Sequence, residues 1–200
     1  MKSGATLNQR HSIDARQLPT FYPTHMHDGQ FWEALGRAVA SFGFLENVLA
    51  RAIFAFTATT EYPEDKIEDE YNKWIIKLEK SLSDTLRPLI DTYQASVKNS
   101  GHPTPHDFDS LISDLIKVFE YRNVLCHGCW SAPDEKGESI PFYVRKSDKM
   151  KFEMPIDIRL LKNIQQAVSE LIIAIIETVT TLGYQFPGSR GPGSEIWPRR

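Results

Sequence analysis

The chain has 200 residues, of which 41% are apolar and 24% are charged, a composition typical of one domain with a buried core. The formal net charge of −3 argues against a protein that coats nucleic acid through long-range electrostatics, although it leaves room for a local basic pocket. Two cysteines, Cys126 and Cys129, are too few for a disulfide scaffold, so we expect a reducing, cytoplasmic location.

The two ends of the chain differ in composition from its middle. Residues 1–27 mix proline and histidine without periodicity, which predicts an N-terminal arm that is extended or partly disordered. Residues 184–200 are rich in glycine, proline and serine, which predicts a flexible tail. The longest apolar stretch, Leu171 to Ile176, falls short of the roughly 20 residues of a membrane-spanning helix. We expect no signal peptide, no membrane segment and a single domain over residues 28–183.

Helical periodicity begins directly after the arm. Asp28 is placed to cap a long helix from Gly29 to about Thr57, in which apolar residues recur at helical spacing. A second helical stretch opens at Pro63, a favourable residue for a first helical position, and runs to about Lys98. Because proline disrupts a helix interior, Pro88 leaves open whether this stretch is one helix or two.

The second half of the chain predicts two more helices with an insertion between them. A third helix runs from about Asp107 to His127, where Gly128 is placed to end it. The runs Ile140 to Arg145 and Met150 to Met154 favour β structure and predict a small hairpin. A final helix with a broad apolar stripe follows Pro155 and ends near Leu182. The predicted fold class is all-α, a bundle of four to five helices with a small β-hairpin insertion before the last helix.

Two charged residues lie on apolar helix faces. A helical projection places Arg122 in the middle of the apolar arc of the third helix and Glu46 within the apolar stripe of the first. Since an isolated buried charge costs several kcal/mol, we expect these two side chains to contact each other, either as a structural ion pair or as part of a site. The projection puts Asn123 and His127 at the edge of the same arc, and Val124 on the opposite, solvated face.

The last turns of the third helix carry a motif, Arg122-Asn123-Val124-Leu125-Cys126-His127. Late on a helix of an all-α domain, it resembles the signature of HEPN ribonucleases, which is Arg, a polar residue, three variable residues and His. The spacing alone is a weak signal. The apolar setting, the polar Asn123 and a carboxylate on the preceding long helix, Glu46, strengthen the resemblance, which covers roughly residues 28–183.

The resemblance implies a metal-independent endoribonuclease without a cofactor. In such an enzyme the ribose 2′-hydroxyl attacks the adjacent phosphorus and leaves a cyclic phosphate and a 5′-hydroxyl. His127 is suited to move a proton near neutral pH, and the permanently charged Arg122 to offset charge on the phosphate. Asn123 is expected to orient the phosphate or the imidazole. Glu46 is expected to hold Arg122, or alternatively to transfer a proton itself, and Glu120 is a second supporting residue.

Partners follow from the same resemblance. RNA is the implied substrate, and a lone motif implies a homodimer whose third helices build a composite active site. Arg145 and Lys146 on the predicted hairpin are candidates for binding the RNA backbone, although a solvated turn explains them as well. A toxin or antiviral defence setting, with an antitoxin or regulatory protein as a further partner, is an association with the family.

Other interpretations compete with the nuclease. Cys126 and Cys129 have the spacing of a redox motif or of half a zinc site, but they lie at a helix C-terminus and no second pair completes four ligands. Histidine pairs occur at His25 and His27 and at His102 and His106, and we interpret them as surface residues. The rival from another class is a non-catalytic HEPN-like module that binds a protein, a nucleotide or RNA. In that rival the motif is a structural polar cluster.

Overall fold

Five α-helices form the part of the chain that the computed structural model describes, residues 12–58 and 62–188. Residues 1–11 of the predicted arm and 189–200 of the predicted tail lie outside the described residues. The helices are α1 (Gly29–Thr57), α2 (Ile67–Ser83), α3 (Leu86–Lys98), α4 (Phe108–His127) and α5 (Ile158–Thr181), with short 3-10 turns at Ala15–Gln17 and Glu64–Lys66. The all-α class is confirmed.

Helix α1 is the central element of the bundle. The Asp28 side chain accepts a hydrogen bond from the Phe31 backbone N–H at 2.8 Å, which is the predicted N-cap. The helix packs against each of the four other helices, and Leu45 and Leu49 are fully buried in the core. A helix enclosed in this way needs apolar residues on most of its circumference.

The same composition makes α1 long and apolar enough to cross a membrane, judged by length and composition alone. The relevant window has a mean hydropathy of 1.5, and half of it is buried inside the structure. Burial among the other helices accounts for that half of the window. The absence of a membrane segment and the cytoplasmic location stay predictions.

The second helical stretch is divided into two helices. Ser83 is the last residue of α2, and Asp84 and Thr85 both have extended backbone before α3 begins at Leu86. Pro88 therefore lies in the first turn of α3, where a backbone N–H has no acceptor within the helix. The break precedes the proline because the proline is compatible with the start of a helix.

Residues 128–157, here called the insertion, join α4 to α5 without forming strands, so the predicted β-hairpin is wrong in that form. Three isolated antiparallel bridges occur instead, namely Cys129–Phe142, Ser139–Ile156 and Val144–Lys151. The last two share one register, in which Pro141 and Pro155 fall between the two bridges. Because proline lacks a backbone N–H, these two residues interrupt the ladder and reduce it to single bridges.

The chain continues to pack beyond α5. The Tyr184 hydroxyl donates to the Ser100 carbonyl at 3.2 Å, and the Phe186 side chain is buried against the bundle. These residues belong to the segment predicted as a flexible tail from residue 184. At the other end, the indole N–H of Trp32 donates to the Thr24 carbonyl at 2.8 Å, so residues just before α1 also contact the bundle.

Helix α4 ends before Gly128, as predicted, and the requirement for glycine at this position is steric. The Gly128 backbone is extended, with φ −70° and ψ 139°, which any residue adopts. A Cβ atom at this position would lie 2.6 Å from the Val124 carbonyl oxygen and 2.8 Å from the Pro141 Cβ. The insertion thus passes so close to the end of α4 that only glycine fits between them.

We expect Gly128→Ala to destabilise the protein by about 1–3 kcal/mol, because the helix backbone or the insertion must move to admit the methyl group. Urea unfolding measures the change. Gly43→Ala is the matched control: Gly43 lies within α1 with nothing near its virtual Cβ, so alanine there is expected to stabilise by about 0.5–1 kcal/mol. Equal stability of Gly128→Ala and the wild type would contradict the steric explanation.

Candidate active site

The last two turns of α4 hold the three motif residues together. The Arg122 Nη1 lies 3.3 Å from the Asn123 Oδ1 and 3.4 Å from the His127 Nε2. His127 follows Arg122 by five positions, about 140° around the helix, and the long arginine side chain spans that angle. Because a guanidinium is only a donor, this contact requires an unprotonated Nε2 on His127.

The predicted contact between Glu46 and Arg122 is confirmed. The Arg122 Nη2 lies 3.9 Å from the Glu46 Oε1, which is an ion pair without a hydrogen bond. The side chains are 23% and 26% exposed, so the charges lie at the border of the core and not within it. The Glu46 Oε1 is itself enclosed and has no hydrogen-bond partner among the described residues. The carboxylate thus lies nearest the terminal nitrogen of Arg122 that does not contact His127.

A cleft of about 1170 Å³ opens beside the motif. Its walls are the C-terminal half of α4, the start of α3 and the insertion, and Arg122, Asn123 and His127 all line it. This volume exceeds the range of about 300–1,000 Å³ that is usual for small-molecule sites. The cleft therefore has room for part of a polymer.

The lining of the cleft is cationic although the chain as a whole has a net charge of −3. Its six cations outnumber its two carboxylates; they are Arg87, Lys117, Arg122, Arg145, Lys146 and Lys151, against Glu120 and Glu153. Four of the six cations already form ion pairs with carboxylates of the chain, so Lys146 and Lys151 are the two that form none within the described residues. An anionic ligand such as a phosphodiester is the complement of this lining.

Two of the predicted residues pair with each other. The Arg145 Nη1 lies 3.3 Å from the Glu120 Oε1 and 3.5 Å from the Asp148 Oδ2. Arg145 and Glu120 thereby tether the insertion to α4. By contrast, Lys146 is exposed, lines the cleft and forms no ion pair within the described residues. Of the two predicted substrate-binding cations, Lys146 is thus the one left available to a ligand.

The projection is wrong at Val124. This residue is buried, with 2% of its surface exposed, although the helical wheel groups it with solvated residues. The insertion covers that side of α4, as the close approach of Pro141 to Gly128 demonstrates. A helical wheel considers one helix alone, so it has no means of including a later segment that packs on its outer face.

The two cysteines are free and exposed. Cys126, on the last turn of α4, is thus accessible to solvent. Within residues 12–58 and 62–188, no group of three or more His, Cys, Asp or Glu side chains is arranged to hold a metal ion. Of the predicted surface histidines, His27 has its Nε2 2.8 Å from the Ser131 carbonyl, and it joins the segment before α1 to the insertion.

Sequence reasoning missed the aromatic lining of the cleft. Tyr143 and Phe152 of the insertion and Phe119 of α4 all line it. The sequence contains a signal for the first two, because each lies next to basic residues. The two runs are Tyr143-Val144-Arg145-Lys146 and Lys149-Met150-Lys151-Phe152. Aromatic residues interleaved with basic ones are typical of surfaces that bind single-stranded nucleic acid.

Comparisons of the chain with protein-family models, with curated proteins and with solved structures give no match. The candidate site therefore rests on the residues themselves and on their arrangement. The resemblance to HEPN ribonucleases rests on the motif of α4 and on its helical setting.

Proposed function

We propose that this protein is a metal-independent endoribonuclease whose catalytic residues are Arg122, Asn123 and His127. One observation carries the proposal: a group able to transfer protons and a fixed cation lie 3.4 Å apart in the wall of a cation-rich cleft. Cleavage of RNA through the 2′-hydroxyl needs both, one for the proton and one for the charge on the phosphate.

The reaction follows from the contacts of Arg122. A phosphate that enters the cleft competes with the His127 ring for the guanidinium, and it prevails because it carries a full opposite charge and accepts two N–H groups at once. The His127 Nε2 is then released to accept the proton of the 2′-hydroxyl. The 2′ oxygen bonds to phosphorus and the bond to the 5′ oxygen breaks. The products are a 2′,3′-cyclic phosphate and a 5′-hydroxyl, the latter completed by a second proton.

Asn123 and Glu46 prepare the arginine for this role. The Asn123 Oδ1 accepts from the Arg122 Nη1, which leaves the amide nitrogen of Asn123 as a donor for a phosphate oxygen. Glu46 contacts the other terminal nitrogen of Arg122 and is a positioning residue. Glu120 acts at a distance from the motif, through its ion pair with Arg145.

The second proton requires a second donor, and we assign it to His127 of another copy of the chain. In this homodimer the C-terminal ends of two α4 helices share one RNA strand. The exposure of His127 at the edge of the cleft supports such sharing. Sedimentation of the protein at micromolar concentration tests it, and the mass of a single chain in the presence of RNA would contradict it.

The setting of the nuclease is proposed by analogy alone. Ribonucleases of the HEPN type act in toxin and antiviral defence systems, which implies a cytoplasmic RNA substrate and an antitoxin or regulatory protein as partner.

The products of cleavage test the mechanism. We expect the protein to cut RNA in excess EDTA and to leave fragments with a 5′-hydroxyl and a cyclic phosphate, because the attacking group is the substrate's own 2′-hydroxyl. Gel analysis with end labelling by polynucleotide kinase, with and without prior phosphatase, identifies these ends. A DNA strand of the same sequence lacks the nucleophile and is the control. Cleavage of the DNA, or loss of RNA cleavage in EDTA, would sink the mechanism.

A second function is favoured by one observation. Both terminal nitrogens of Arg122 have partners within the chain, which is also how a structural polar cluster is built. On this view the protein is a non-catalytic HEPN-like module that binds a protein, a nucleotide or RNA. Binding of RNA without cleavage under the conditions above would favour it.

A further inference from the structure

The insertion turns a defined face toward the cleft. Val144 and Lys151 form an antiparallel bridge, and the Phe152 N–H donates to the Tyr143 carbonyl at 2.9 Å. In this register Tyr143 lies opposite Phe152. Side chains that lie opposite each other across an antiparallel pair project to the same side. The two rings therefore belong to one face of the insertion.

The insertion lines the cleft with the face that carries the two rings and also with intervening positions, namely Lys146, Ser147, Lys151 and Glu153. The side chains of the insertion that line it at alternate positions are Tyr143 and Arg145 on one segment, and Met150, Phe152 and Met154 on the other. Phe142, the neighbour of Tyr143 in sequence, is 65% exposed and does not line the cleft. One aromatic side chain thus faces away from the cleft directly beside one that faces into it, which supplies a matched control.

The two rings are accessible from the cleft. Tyr143 and Phe152 are half-buried, so each is held by the core while part of it faces the cleft. Among the described residues, neither ring stacks on another aromatic ring. The exposed cations Lys146 and Lys151 line the same wall and form no ion pair in the described part of the chain.

We infer that Tyr143 and Phe152 form a subsite that stacks an unpaired nucleobase, while Lys146 and Lys151 contact the adjoining phosphates. The ligand is single-stranded RNA, because a base within a duplex is already stacked and does not offer its face. Every base has such a face, so the subsite selects for strandedness and not for sequence. The identity of the polymer rests on the proposed function, but base stacking itself does not require cleavage.

Binding of uncleavable RNA tests the subsite. A short fluorescent 2′-O-methyl RNA, which lacks the attacking hydroxyl, is titrated with the full-length protein and the anisotropy recorded. We expect Tyr143→Leu and Phe152→Leu each to raise the Kd about 10-fold or more, since stacking on one ring contributes that much to binding. Phe142→Leu is expected to leave the Kd unchanged. Lys146→Gln and Lys151→Gln are expected to raise the Kd and to reduce its salt dependence.

Measurements on the wild-type protein keep the test independent of variant folding. We expect the blunt duplex of the same sequence, and an RNA with abasic positions, to bind more weakly than the intact single strand. Equal binding of the duplex or of the abasic RNA would overturn the subsite. The subsite would also be overturned if a free mononucleotide displaced the labelled RNA as strongly as unlabelled RNA does, because the site would then bind nucleotides and not a polymer.

The subsite and the nuclease fail in different ways. If cleavage requires His127 but the Leu variants bind RNA like the wild type, the subsite is refuted and the nuclease stands. If the Leu variants lose binding while no RNA is cut by the wild type, the nuclease is refuted and the subsite stands.

Discussion

Replacement of His127 by alanine is expected to slow RNA cleavage at saturating RNA by about 100- to 10,000-fold while the fold is retained. The loss falls on the chemical step, since the imidazole moves a proton there and contributes little to holding the RNA. Stability is spared because His127 is exposed at the end of α4, where its removal leaves no cavity. Single-turnover rates in EDTA, together with urea unfolding, measure the two effects separately.

A second histidine serves as the control for this variant. His106 is exposed and lies just before α4, at its opposite end, so His106→Ala is expected to cleave RNA at the wild-type rate. Added imidazole is expected to restore part of the activity of His127→Ala, because the open cleft admits a small base. Undiminished cleavage by His127→Ala would remove His127 from the mechanism. Rescue by imidazole is an effect that a purely structural histidine does not produce.

The helices were predictable because they are specified locally. The apolar spacing of α1 and the cap at Asp28 both act within a few residues, and both are present in the structure. The break before Pro88 was located less well, because a proline near a helix start and a proline at a helix break look alike in sequence. Local signals thus identify elements better than they identify boundaries.

The insertion was predicted poorly because its form depends on the rest of the fold. Its runs of β-favouring residues suggested strands, but Pro141 and Pro155 interrupt the pairing in the register that the chain adopts. That register depends on how the insertion packs against the helices, and not on its local sequence. The same packing buries Val124 and brings Arg145 to Glu120. Neither the burial nor the ion pair can be predicted from the periodicity of the sequence.

The central contact of the site was predictable for an energetic reason. Glu46 and Arg122 each occupy an apolar stripe, and a charge in that setting needs a partner wherever the helices meet. What the stripes did not reveal was the degree of burial, which is only partial for both side chains. A projection locates a residue on one helix, whereas exposure depends on how closely the neighbouring helix approaches.

Replacement of Arg122 distinguishes a catalytic cluster from a structural one. We expect Arg122→Ala to lower the rate of cleavage by about 100- to 1,000-fold, because the cation that offsets charge on the phosphate is lost. Arg122→Lys is expected to recover only part of the rate, since an ammonium lacks the planar fork that contacts two groups at once. The free energy of unfolding of Arg122→Ala is expected to differ from that of the wild type by about 1 kcal/mol or less, because the ion pair with Glu46 is long and partly exposed. A large loss of stability with little loss of rate would support the structural cluster.

Replacement of Glu46 distinguishes its two proposed roles, which are to position Arg122 or to transfer a proton. If its carboxylate only positions Arg122, Glu46→Gln lowers the rate less than Arg122→Ala does, and the second substitution has no further effect once Arg122 is already alanine. If the carboxylate transfers a proton itself, Glu46→Gln lowers the rate by the same factor in both backgrounds. The contact at 3.9 Å favours the first outcome, because the carboxylate lies against the guanidinium, at the terminal nitrogen that does not contact His127. Single-turnover rates of the four proteins in this cycle, measured with one RNA, separate the two roles.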